Sequence, residues 1–192
     1  MMYNICEEKR KVNRSFRGNI YFRTGGGNLT MQFSVGVEYA FHSLFYLIDL
    51  PEHKAIGIRD IAKLHGITET YLSKIFAKLR KAGIVQSIAG AHGGYALAKK
   101  AEEISFWDII EALEGTSHFF RCAEIRKKNI FVTNPRIYTD KCPCLIKVVI
   151  HEAEDIMRDK LRNKSLHWLY EQVYKDFSTE KKKEITRWIK DV

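Results

Sequence analysis

Apolar positions recur with a helical period along most of this chain, and the breaks between periodic stretches are sharp. From Ser34 to about Leu50, Val37, Ala40, Phe41, Leu44, Leu47 and Ile48 fall at i, i+3, i+4 spacing. That predicts a first helix, with Ser34 as N-cap and Pro51 closing it. Ile58, Ile61 and Ala62 form a short stripe that ends at Gly66, a residue type suited to the left-handed turn after a helix. Thr68 then caps a helix in which Leu72, Ile75, Phe76 and Leu79 share one face, and Gly83 ends it. Helix, glycine-containing turn, helix is the helix-turn-helix pattern, although plain helical bundles show it too.

The period then drops towards two. "IVQSIAG" and "YALAKK" flank a glycine-rich run and predict two short strands joined by a hairpin whose glycines supply φ > 0. Beyond residue 101 the helical rhythm returns. "SFWDIIEALEG" predicts a short helix with Ser105 as N-cap, Asp108 completing a capping box and Gly115 past the end. Residues 117–141 are polar and irregular. A long stripe follows through Leu145, Val148, Val149, Ala153, Ile156, Met157 and Leu161, and a second through Leu166, Leu169, Tyr170, Val173, Tyr174 and Phe177. A last short helix carries Ile185, Trp188 and Ile189 on one side, with Lys181–Lys183 in water. No repeat of 20–50 residues is visible. The expected fold is mainly α with one small β-hairpin.

Charge changes this picture. The net charge is +9 over 192 residues, and it is uneven. Residues 1–30 hold six Lys/Arg against two Asp/Glu and residues 31–100 nine against five, each a net +4; residues 101–192 hold 17 against 16. A basic half joined to a neutral half is the balance of a nucleic-acid-binding module with a second function attached. Residues 1–30 also lack periodicity. They are expected to be a basic, disordered extension, with Met31 as the true start or, on the rival reading, an arm that touches DNA. No apolar run reaches about 18 residues and no apolar leader stands at the N-terminus, so neither a membrane span nor a secretory signal is expected. Four cysteines, Cys6, Cys122, Cys142 and Cys144, are too few for a disulfide scaffold and suit a reducing cytoplasm.

The run "AGAHGGYALA" at 89–98 decides between chemistries. A phosphate-binding P-loop needs Gly-Lys-Ser/Thr between strand and helix, and the nearest lysine, Lys99, follows a strand-like segment. A dinucleotide fingerprint needs glycines that open a helix. "HGG" resembles an oxyanion-hole motif, but no serine sits in a Gly-x-Ser-x-Gly elbow. No enzyme activity is expected. A hairpin directly after a helix-turn-helix is instead a wing, with the second helix in the major groove and the hairpin tip at the backbone or minor groove.

The stretches "MQFSVGVEYA", "IRDIAKLHGITETYLSKIFAKLRKAGIVQSIAGAHGGYALAK" and "ISFWDIIEALEG" resemble the Rrf2 family of bacterial winged-helix transcriptional regulators, over about residues 31–165. Tyr71 and Leu72, the Leu79–Arg80–Lys81 run and Gly93–Gly94–Tyr95 stand where the family has them. The resemblance implies a winged helix-turn-helix (31–100) and an effector and dimerisation region (101–165), between the basic extension (1–30) and a helical C-terminal extension (166–192) that composition and periodicity mark off. It implies a homodimer on a palindromic operator, paired through Leu145, Val148, Val149, Ile156, Met157 and Leu161. On the stripe alone, that helix would be a core helix within one chain. The expected DNA-contacting set is Thr68, Glu69, Thr70, Tyr71, Ser73, Lys74 and Lys78 on the recognition helix, and Ser87, Gly90, His92, Gly93 and Gly94 on the wing. Thr70 and Lys74 lead it, because hydroxyls and ammonium groups bond bases and phosphates. The family commonly has an arginine where this chain has Ala89.

Some members of the family hold an iron–sulfur cluster through three closely spaced cysteines before the dimer helix. Here Cys122 is followed by Cys142-Pro-Cys144 after nearly 20 residues, a departure from that spacing. The first expectation is therefore no cofactor, with the cysteines as buried apolar residues. The alternatives are a [2Fe-2S] cluster on Cys122, Cys142 and Cys144, with His118 or His151 as a further ligand, zinc, or a reversible thiol switch. The function expected is a cytoplasmic, sequence-specific DNA-binding regulator, a repressor in most of the family. The alternative within the class senses redox state, and the one outside it is a protein-interaction module on a winged-helix scaffold.

Overall fold

The computed structural model describes residues 33–51, 53–90, 93–116 and 118–192. The expectations for residues 1–30, Met31 and His92 fall outside them. Among these residues, seven α-helices and one two-stranded antiparallel sheet follow in the order α1 (Val35–Phe45), α2 (Ile58–His65), α3 (Glu69–Lys81), β1 (Val85–Ile88), β2 (Gly94–Leu97), α4 (Phe106–Glu114), α5 (Leu145–Arg162), α6 (Leu166–Lys175) and α7 (Thr179–Asp191). The chain packs as two units: one of residues 32–119 with 152–192, the other of residues 120–151, which include the first turns of α5. The mainly α class with a small hairpin is borne out.

The first unit is built around α3. Thr68 Oγ1 accepts the Tyr71 N–H and caps the helix. Its apolar stripe is removed from water: Leu72, Phe76 and Leu79 are 0% exposed. Burial of each such side chain is worth about 1.5–3 kcal/mol. The stripe shares one core with Leu44 of α1, Ile61 of α2, Ile109 of α4 and Leu166 at the start of α6. At the turn between α2 and α3, Gly66 has φ 64°, the left-handed conformation its position predicts.

Two local readings differ from the structure. The first helix ends at Phe45, not near Leu50, because Tyr46, Leu47 and Ile48 donate to carbonyls three residues back in a tighter turn. Ser34 is the N-cap residue of α1, but its side chain does not cap the helix. Its Oγ and N–H both donate to Glu114 Oε1, at 2.6 and 3.0 Å, and so tie the start of α1 to the end of α4. The Ser105–Asp108 capping box of α4 forms as its sequence predicts, at 3.1 and 2.8 Å.

The hairpin pairs Val85 with Leu97 and Ile88 with Gly94. A third segment joins it. Ile56 and Tyr95 exchange both backbone hydrogen bonds, at 3.0 and 2.9 Å. Gly94 makes this approach feasible, since a Cβ there would overlap the Ile56 carbonyl and the Gly57 nitrogen. Tyr95 then meets Phe76 of α3 edge to face, with ring centroids 4.8 Å apart. The wing is thus fastened to the linker before α2 and to α3 itself.

An ionic group lies inside this unit. The Glu154 carboxylate of α5 is 4% exposed, bonded to His118 Nδ1 at 3.0 Å and to Arg158 one turn on. The Arg158 guanidinium stacks over Trp107 of α4, which holds α5 against α4.

Replacing Gly94 with Ala tests the wing attachment. The added methyl has only backbone to push against, so Gly94→Ala is expected to destabilise by about 2–3 kcal/mol and lower Tm by about 6–10 °C. Thermal unfolding measures it, and a change below 2 °C would refute the close approach.

Candidate nucleic-acid interface

Burial of one face of α3 sends the other outward. Glu69, Thr70, Lys74 and Lys78 are exposed and Ser73 is half-buried. At 1.5 Å per residue the thirteen-residue helix is about 20 Å long, and its width suits a B-DNA major groove. Thr70 and Lys74 make no side-chain hydrogen bond or ion pair among the described residues, so their polar groups are available to a partner.

The other predicted residues are placed differently. Thr68 Oγ1 holds the helix cap. Glu69 faces Arg59 of α2 at 3.6 Å, a surface pair of small energetic value. Tyr71 is half-buried and meets Tyr39 of α1 edge-on, so its ring packs rather than projects. The Lys78 ammonium donates to the Leu113 carbonyl at 2.7 Å and joins α3 to α4. Arg59, 84% exposed at its side chain, was absent from the sequence-derived set. Its position becomes visible only when α2 and α3 are set side by side.

On the wing, Ser87 and Gly90 are exposed. Gly90 has φ 122° and open space where a Cβ would point, as a tip that turns hard requires. Gly93 and Gly94 have a different reason. A Cβ on Gly93 would lie 2.5 Å from the Ile88 carbonyl and 2.8 Å from that of Gly90. The close approaches at Gly93 and Gly94 are therefore to the chain's own backbone.

Histidine chemistry near this face is shaped by burial. His65, at the end of α2, lies among the rings of Tyr39, His42 and Tyr46. Its pKa is lowered, first by desolvation and then by His42, so the ring stays neutral at physiological pH.

The unit of residues 120–151 has its own site. Cys122, 20 positions before Cys142, lines one cavity of about 950 Å³ together with Cys142, Cys144, Arg126, Tyr138 and Leu145. Arg126 pairs with Glu124 at 2.8 Å, donates to the Cys142 carbonyl at 2.8 Å and lies over the Tyr138 ring. Cys144 stands just before α5. Its thiol is pulled below the usual range by the Lys147 N–H and, further, by those of Ile146, by Cys122 and by Arg126. For Cys122 the Glu124 N–H acts downward, but desolvation and the adjacent Cys144 outweigh it and the thiol is raised. His151 Nε2 lies 3.2 Å from the Phe120 carbonyl. In the other unit, His118 is held by Glu154.

Of the predicted dimerisation residues, Leu145, Val149 and Ile156 are 41%, 62% and 70% exposed. Met157 and Leu161 pack on the chain's own core instead. No helix among the described residues is long and apolar enough to cross a membrane.

Comparison with known proteins gives this geometry its context. The profile of the Rrf2 family, described as an iron-dependent transcriptional regulator, matches residues 33–172. The chain is 31% identical over 123 residues to the HTH-type transcriptional regulator NsrR of Shouchella clausii, covering 64% of this chain and 77% of that protein. It is 38% identical over 127 residues to the protein rrf2 of Nitratidesulfovibrio vulgaris, covering 62% of this chain and 76% of that one. Among solved structures, CymR, the global cysteine regulator of B. subtilis, superposes with a TM-score of 0.56 at 25% identity, covering 74% of this chain and 98% of its own. T. potens IscR superposes with a TM-score of 0.57 at 25% identity, covering 80% and 96%. With its helix-turn-helix, its wing and a match over most of its length, the chain belongs to the Rrf2 family of winged-helix, DNA-binding transcriptional regulators.

Proposed function

We propose that this regulator acts in the cytoplasm as a homodimer that represses from a palindromic operator, and that its activity is binding rather than catalysis. One observation carries the DNA-contacting assignment: Thr70 and Lys74 stand exposed on α3, free of intramolecular side-chain partners among the described residues, beside a wing fastened to the same helix. Thr70 is assigned to base edges and Lys74 to phosphate or guanine. Ser73, Ser87 and the Gly90 tip flank them. Thr68, Tyr71, Gly93 and Gly94 position this surface. Lys78 and Glu69 hold it to α4 and α2.

The exposed stripe Leu145, Val149 and Ile156 on α5 supports the homodimer, because an apolar helix face of this kind in water needs a partner. A two-fold dimer presents two recognition helices about 34–36 Å apart, one turn of B-DNA, and so reads inverted repeats.

A second reading concerns the signal. The absence of a cofactor was the first expectation from spacing, but the gathering of Cys122, Cys142 and Cys144 on one cavity supports the sensor alternative. Their soft thiolate donors fit an iron–sulfur cluster. Bound there, a [2Fe-2S] cluster would supply a one-electron redox centre. Arg126 would balance thiolate charge, and its bond to the Cys142 carbonyl holds that backbone in place. The same thiols without iron would form a direct oxidation switch.

Three outcomes are expected. In a gel shift against its own promoter, the protein binds more weakly as salt rises. Lys74→Ala weakens binding about tenfold and lowers the salt slope by about 1, whereas Thr70→Ala changes the preferred base. Failure of the folded protein to bind any genomic fragment would point to the interaction-module alternative instead. Val149→Glu with Ile156→Glu yields a folded monomer by sedimentation; a persisting dimer places the interface elsewhere. Protein purified without oxygen carries visible absorbance, iron and sulfide, and Cys122→Ala or Cys144→Ala removes them. A colourless, iron-free anaerobic preparation rejects the cluster and leaves the thiol switch.

A further inference from the structure

The C-terminal helix α7 lies beyond residue 172, where the family match ends. It is attached firmly. Ile189 is 6% exposed, and Trp188 and Val192 pack on the core. Trp188 meets Tyr46 with ring centroids 5.7 Å apart. Lys54 Nζ donates to the Ile189 and Lys190 carbonyls, at 3.3 and 2.9 Å, and caps the C-terminal end of the helix. Lys54 lies two residues before Ile56, which pairs with the wing strand. The end of α7 is thus tied to the segment that enters the wing.

With the apolar side of α7 turned inward, Lys183, Arg187 and Lys190 recur at i, i+4 and i+7 on an exposed side. They line a shallow cleft with Thr179, Lys182 and Thr186, and the lining contains no acidic group. Lys182 lies over the Tyr174 ring. The acidic residues of the helix, Glu180, Glu184 and Asp191, lie one turn from members of the stripe, and Glu184 pairs with Lys181. Among the described residues, Lys183, Arg187 and Lys190 have no acidic partner.

We propose that the Lys183–Arg187–Lys190 stripe of α7 is a second DNA-contacting surface that grips the phosphate backbone of duplex flanking the operator. The proposal rests on the DNA-binding reading above. The cleft chemistry selects the partner. It is cationic and hydroxylic, as phosphate requires. It offers no aromatic platform on which unpaired bases would stack. The apolar face that a membrane-surface helix would insert is buried in the protein. Seven residues of helix span about 10 Å, the reach of two or three phosphates of one strand.

The test uses the full chain and a duplex selected by the wild-type protein from genomic fragments. The duplex is made in two lengths, operator alone and operator with about one helical turn of flank at each end. The triple variant Lys183→Gln, Arg187→Gln, Lys190→Gln keeps the Lys190 carbonyl that Lys54 holds, and its unchanged Tm verifies the fold. Wild type is expected to bind the longer duplex more tightly and with a steeper salt dependence. The variant should lose about tenfold on the longer duplex, with a salt slope smaller by about 3 per chain, and bind the short one as before. Lys183→Arg with Lys190→Arg should retain wild-type behaviour. Equal affinity and slope for wild type and triple variant overturns the second surface while leaving the operator reading intact. Loss of binding to single-stranded RNA or to phosphatidylserine vesicles with duplex binding unchanged also overturns it. Failure of wild type on every duplex overturns both readings together.

Discussion

The architecture depends on the burial of one face of α3. A thirteen-residue helix is marginal alone in water. Its stability comes from Leu72, Ile75, Phe76 and Leu79 packing into a core shared with α1, α2, α4 and α6. That burial leaves little rotational freedom about the helix axis, so the opposite face must look outward. The presentation of Thr70 and Lys74 is therefore a consequence of core packing. The same stripe carries Phe76 to Tyr95 of the wing, and Lys78, two residues on, reaches back to α4.

The glycine run contributes a second constraint, of backbone rather than side chain. Gly90 turns the hairpin tip with φ in the left-handed region, while Gly93 and Gly94 lie against carbonyls of their own chain. Three adjacent-looking glycines thus divide into one at the exposed tip and two that let strands and linker close up. The Ile56–Tyr95 pairing that Gly94 permits makes wing and helix-turn-helix one body.

Much of this was legible in the chain. The 3.6 period located every helix of the first unit, because amphipathic helices must alternate apolar and polar faces to form a core. Caps were legible where side chain and backbone meet within three residues, as at Thr68 and Ser105. They were not legible at Ser34, whose hydroxyl is taken by Glu114, 80 residues away. The end of α1 is equally hidden, because the apolar rhythm runs on through Leu47 and Ile48 after the hydrogen bonding has tightened. On α5 the periodicity cannot distinguish Met157 and Leu161, which face the core, from Val149 and Ile156, which face water.

The sequence by itself determined the succession of helices, the glycine-built hairpin, the basic first half and the family to which the chain belongs. These are local or compositional properties, set by residue type and spacing over a few turns. Only the tertiary structure decided which polar groups of α3 are free and which hold neighbouring elements. It alone brought Cys122 to Cys142 and Cys144, and fixed α7 through Lys54 so that its cations face solvent. Those outcomes depend on contacts between residues 20 to 136 positions apart. Nothing in a period or a spacing encodes them, because they follow from how whole elements bury their apolar faces against one another.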